Sequence, residues 1–130
     1  MRLSLNAGGD ELFRAMHKPV KKSLTLDEIC AWIPKIKRRN PAFQIGFSYI
    51  IVWSGASRAD VAIHENIHEV VMATERARRY GFDYIALKPV LERGPGGAEV
   101  MDPQAASAVD RAIARIRAEV DAAKQLEAAA

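Results

Sequence analysis

The stretch from Phe43 to Trp53 (Phe-Gln-Ile-Gly-Phe-Ser-Tyr-Ile-Ile-Val-Trp) limits the chain to few architectures. It is β-branched and aromatic and almost unbroken in apolar character, the pattern of a strand covered by other elements rather than of one half in water. Such strands belong to parallel sheets with helices outside them. Gly46 inside the run points to a close approach of another group to the backbone.

The flanking segments supply the other layers. Leu3 and Leu5 alternate with Ser4 and Asn6 before Gly8-Gly9-Asp10, a short strand and turn, and a brief helix follows over Glu11–Met16. Thr25-Leu26-Asp27-Glu28 has the form of a capping box, in which threonine takes a free amide and Glu28 reaches back. Leu26, Ile29, Ile33 and Ile36 then recur at helical spacing, with a kink expected at Pro34 and an end at Asn40-Pro41.

Residues 54–65 read as a loop. Asn66 and Glu69 form a second capping pair for a helix striped by Ile67, Val70, Val71, Thr74 and Ala77, which Gly81 closes with positive φ. Phe82–Leu87 is the third strand, ended by Lys88-Pro89. A glycine-rich loop occupies 94–101, and a helix over 102–130 starts at Asp102-Pro103 with Val109, Ile113, Ile116 and Val120 inward; its alanine-rich tail from Ala122 is expected to fray. The reading is a single α/β domain over 1–130, three β-α units on a parallel sheet. Three strands leave two apolar edges, so the architecture reads as incomplete.

Composition narrows the function classes. The 130 residues are 49% hydrophobic and 27% charged, with no apolar run long enough for a bilayer and no secretory pattern at Met1–Asn6, features that fit the cytoplasm. A single cysteine, Cys30, rules out an internal disulfide and a cysteine-only metal site within one chain. Residues 1–40 carry nine Lys/Arg against four acids. With no aromatic residues among the lysines, this basic half reads as a solvated face and not as a nucleic-acid surface.

In combination these segments resemble the radical S-adenosylmethionine (SAM) superfamily. Leu3-Ser4-Leu5-Asn6-Ala7-Gly8 with Glu11-Leu12-Phe13 and Met16-His17 is similar to its fourth strand and the turn after it, and Ile45–Val52 to its fifth. Asn66-Ile67-His68-Glu69, Tyr80-Gly81-Phe82-Asp83-Tyr84-Ile85 and Lys88-Pro89 are similar to the helix and strand that follow. The resemblance covers about residues 1–93 and implies the second half of a (β/α)6 partial TIM barrel.

The C-x3-C-x2-C loop that holds the 4Fe-4S cluster in full-length relatives has no counterpart here, so the chain has no ligands for that cluster. The resemblance therefore implies a fragment that contributes part of the SAM- and substrate-binding barrel and is inactive alone. Its partner would be a missing N-terminal half-barrel or a second copy, and its substrate an unspecified small molecule or peptide. By resemblance, Ser4 and Asn6 face the ribose and methionine side of SAM. Ile45, Gly46 and Ser48 lie near the adenine, and Leu87 and Lys88 line the mouth, where Lys88 meets an acidic substrate group.

One motif competes. His64-Glu65-Asn66-Ile67-His68 spells H-E-x-x-H, which on a helix places two histidines one turn apart on a zinc ion. The expected helix start at Asn66 divides it, Glu69 adds a charge directly after it, and no third ligand stands at a familiar spacing. Zinc hydrolysis through His64 and His68 is the lesser reading. A stand-alone α/β binding module that oligomerises is the other alternative.

Overall fold

In a computed structural model the described residues are 1–53, 57–58, 61–62, 64–90, 92–93, 99–100 and 103–129. The elements run β1 (Arg2–Ser4), α1 (Asp10–His17), α2 (Leu26–Cys30), α3 (Trp32–Arg39), β2 (Gly46–Ile51), β3 (Ser57–Arg58), β4 (Val61–Ala62), a 3-10 turn (Ile67–Glu69), α4 (Val70–Tyr80), β5 (Tyr84–Pro89), β6 (Glu92–Arg93), β7 (Glu99–Val100) and α5 (Pro103–Ala129). The main sheet is parallel, in the order β1-β2-β5. Two short antiparallel pairs, β3 with β4 and β6 with β7, stand beside it. The first of these replaces part of the loop expected over 54–65.

The strand order follows the chain without reversal. A doubly wound sheet reverses direction and carries helices on both faces. Successive right-handed crossovers in one direction put the helices on a single face, as in a barrel wall. Burial agrees. Phe47, Tyr49 and Ile51 are fully buried in one cluster with Phe13 of α1, Leu26 and Cys30 of α2, Ile33 of α3, Val70, Ala73 and Ala77 of α4, and Val109 and Ile116 of α5. Every helix thus contributes to the cover of the odd-numbered face.

Several local readings change. The helix expected from Leu26 to its end at Asn40-Pro41 is two helices, broken at Ala31 rather than kinked at Pro34. The proline ring clashes with the carbonyl of the residue four before it, Cys30, so the break falls a turn upstream. Thr25 Oγ1 accepts from Glu28 N at 3.1 Å as expected, but the Glu28 carboxylate turns to Lys21 at 3.1 Å.

The Asn66/Glu69 capping pair does not form. The Asn66 side chain is fully buried between strands, and Glu69 reaches across to α1. Gly81 does close α4, at φ 81°, donating to Ala77 O and Arg78 O. α5 stays helical to Ala129 where the tail was expected to fray. The glycine-rich positions 94–98 and the capping Asp102 lie outside the described residues. Among those residues no helix is long and apolar enough to cross a membrane.

Candidate functional site

Side chains alternate along a strand, so the even-numbered residues of the sheet form the face opposite the helices. In register these are Arg2, Gly46 and Tyr84; then Ser4, Ser48 and Ala86; then Ile50 and Lys88 at the C-terminal end. Arg2, Ser4, Tyr84 and Lys88 are exposed, and Ile50 in the central strand is 40% exposed. A central-strand isoleucine left open, in a strand whose other side (Phe47, Tyr49 and Ile51) is fully buried, marks a one-sided layer. The face holds two cations and no carboxylate, and Lys88 makes no ion pair with the described residues.

Asn6 organises the C-terminal end of this face. It adopts φ 55°, a left-handed conformation that asparagine tolerates better than most residues. Its Oδ1 accepts from Ile50 N at 2.8 Å, which continues the β1–β2 pairing through a side chain after β1 has ended. Its Nδ2 donates to Ser4 Oγ at 3.1 Å. Ser4 and Asn6 therefore present one connected polar patch beside Ser48.

The loop behind the patch is fixed from α4. The Glu69 Oε1 atom accepts from both Gly8 N and Gly9 N at 2.8 Å, meeting free amides at the start of α1. A Cβ on Gly8 would lie 2.7 Å from Glu69 O and 2.8 Å from Met72 Cβ, so only glycine allows α4 this close. Arg76, itself buried, donates from Nε to Gly8 O at 3.1 Å and pairs with Asp27. The Tyr80 hydroxyl and the Arg76 guanidinium hold the Asp27 carboxyl below its usual range.

Of the residues expected to line a ligand site, Ser4, Asn6, Ser48 and Lys88 share the open face. Ile45 and Leu87 do not. Ile45 is fully buried, and Leu87, in register with the buried Tyr49, packs against the helix-side core. Gly46 is on the open face but at its N-terminal end, away from the mouth at which barrels bind ligands. The space above it is taken by the Tyr84 ring, 2.3 Å from where a Cβ would stand. Tyr84 is in turn held by Arg2 Nε, 3.2 Å from its hydroxyl. The close approach expected at Gly46 is thus a tyrosine of the same sheet.

Arg2, Tyr84 and Ile50 were missed as members of the face, although counting alternate residues outward from Ser4, Ser48 and Lys88 finds all three. His64 is exposed outside any helix or strand, and His68 is exposed on the 3-10 turn, so H-E-x-x-H does not sit on one α-helix. Among the described residues no three His, Cys, Asp or Glu side chains stand together as metal ligands. Cys30 is buried on the helix side, where desolvation pushes its thiol up to about 11. That is the reverse of what a thiolate ligand needs.

No family model, no curated protein and no solved structure matches this chain.

Proposed function

We propose that this chain is one half of a radical SAM barrel, and that its even-numbered sheet face lines the chamber in which SAM and substrate meet. The observation that carries the reading is the one-sided sheet. Its strands follow in chain order, its helices cover one face, and hydroxyl, amide and ammonium groups gather at the C-terminal end of the other.

Ser4 and Ser48 offer hydroxyls to ribose or amino-acid groups. Asn6 engages its side-chain oxygen with Ile50 N and one amide hydrogen with Ser4 Oγ, so its second amide hydrogen is what it offers a ligand. Lys88 supplies the charge for an acidic group of substrate. These residues bind and orient. The radical chemistry that the family draws from SAM needs a cluster, and this chain does not fit one, because its single thiol is buried in the core. No reaction step is therefore assigned to this half.

Self-association is the weaker alternative. A second copy laid face to face would set Arg2 and Lys88 against the same cations, with no carboxylate on the face to offset them. The test is the coding DNA around the Met1 codon. An in-frame extension or an adjoining reading frame that encodes C-x3-C-x2-C is expected. A stop codon upstream, with no such neighbour, overturns the reading.

A further inference from the structure

The outer surface of α3 presents a second feature, on the side of the molecule away from the open sheet face. Trp32, Lys35, Ile36 and Arg39 recur at helical spacing and line, with Arg38, a groove of about 530 Å³. Trp32 is 60% exposed. Lys35 Nζ lies 4.8 Å from the centre of its ring. We propose that this groove binds a single-stranded nucleic acid, with a base stacked on Trp32 and the flanking phosphates on Lys35, Arg38 and Arg39.

The charge pattern carries the argument. Three of the four acids among the basic first forty residues are engaged elsewhere, and the fourth, Glu11, lies on α1. Asp27 holds Arg76 and Tyr80, Glu28 holds Lys21, and Asp10 accepts from Leu26 N at 2.7 Å. Within α3, Lys37 is turned aside to Asp83 and to Phe43 O, both at 2.8 Å. Lys35, Arg38 and Arg39 are all exposed and make no ion pair with the described residues.

The helix dipole accounts for cations in the last turn. It does not account for an open indole one turn from Lys35 and Ile36. Read along the sequence, no aromatic residue adjoins a lysine, and Trp32 stands three residues before Lys35. Wound into α3, three cations and an aromatic ring border one groove, the combination that single-strand binding uses. An exposed cation–π contact is weak enough for Lys35 to leave the ring for a phosphate as a base arrives. An acidic peptide would use the cations but would leave the indole without a stacking partner.

The test uses the full 130-residue chain and fluorescein-labelled oligo(dT) and oligo(U), read by anisotropy as salt is raised. Binding at low salt is expected, with a log–log salt slope of about −2 for three phosphates on a single strand. Trp32→Ala should weaken binding by about tenfold, while Trp32→Phe retains most of it. The double variant Arg38→Ala/Arg39→Ala should flatten the slope to about −0.7. Thermal melting of each variant, all at exposed positions, verifies the fold. The proposal is overturned by no anisotropy change at low salt, by unchanged affinity in Trp32→Ala, or by polyglutamate competing as well as unlabelled oligonucleotide.

Discussion

A buried side-chain amide must find partners for its oxygen and for both its hydrogens, and Asn66 finds them in β2 and just past the ends of β1 and β2. Its Oδ1 accepts from Val52 N at 2.6 Å, and its Nδ2 donates to Asn6 O and Ile50 O, both at 2.8 Å. Its backbone N–H returns to Val52 O at 3.0 Å, and its carbonyl accepts from the buried Tyr49 hydroxyl. Burial, with the charge of Glu69 adding to it, drives the Tyr49 hydroxyl well above its ordinary range, so it stays a neutral donor. Asn66→Ala would strand one amide and two carbonyls at about 1–3 kcal/mol each where they stay dry. A loss of about 3–5 kcal/mol is expected in urea unfolding, a large part of a small domain's stability. A loss below about 1 kcal/mol would mean that water reaches the site and that the amide is not the clamp described. Asn66 read from sequence as a helix cap because the cap pattern is local, whereas its partners, Asn6, Ile50 and Val52, lie at and just past the strand ends and meet it only on folding. Glu69 was misread for the same reason, since the amides it serves lie about sixty residues earlier.

Among the elements, α3 is tied to the residue just before β5 by a charge that responds to pH. Lys37 Nζ lies 2.8 and 2.9 Å from the two Asp83 oxygens, and Asp83 Oδ2 also accepts from Ile45 N at 2.7 Å. The Lys37 hydrogen bonds first, and the Ile45 amide after them, hold the Asp83 carboxyl below its ordinary range. Asp27, between α2 and α4, is lowered by Tyr80 and then Arg76. A carboxyl that is more acidic folded than unfolded adds stability above its unfolded pKa and loses it as pH falls through the folded value. The urea midpoint should therefore drop between about pH 5 and about pH 2, and Asp83→Asn should show a smaller drop than the parent chain. An equal drop in both would remove Asp83 from the acid response. At this scale the helix at Thr25, the αL close at Gly81 and the three strands were legible, because each depends on neighbours in sequence. The position of the α2–α3 break was also in principle legible, since the carbonyl that Pro34 obstructs lies a fixed four residues earlier. The β3–β4 and β6–β7 pairs were not, because strands this short carry too few residues to show a period.

At the scale of the molecule, the sheet divides apolar from polar by parity. Leu3, Phe47, Tyr49, Ile51, Ile85 and Leu87 face the helices, while Ser4, Ser48, Ile50 and Lys88 face away. Period two alone removes Ile45 and Leu87 from the set of residues expected to face a ligand, and it retains Ser4, Asn6, Gly46, Ser48 and Lys88. What covers the polar face cannot be read from one chain, since a buried parallel strand looks the same whether its second cover comes from within or from a partner. Adjacent isoleucines in β2 give a direct measure of that cover. Ile51→Thr places a hydroxyl in the core and removes apolar volume there, so a loss of about 2–4 kcal/mol is expected. Ile50→Thr makes the same chemical change, keeps the β-branch, and should cost no more than about 0.5–1 kcal/mol on an open face. Urea unfolding of both variants, with light scattering for mass, separates the cases. Unequal costs on a monomer would mean that the face is uncovered, as the half-barrel proposal requires. Equal costs on a dimer that Ile50→Thr dissociates would mean that a second copy already covers the face, and the half-barrel reading would fail.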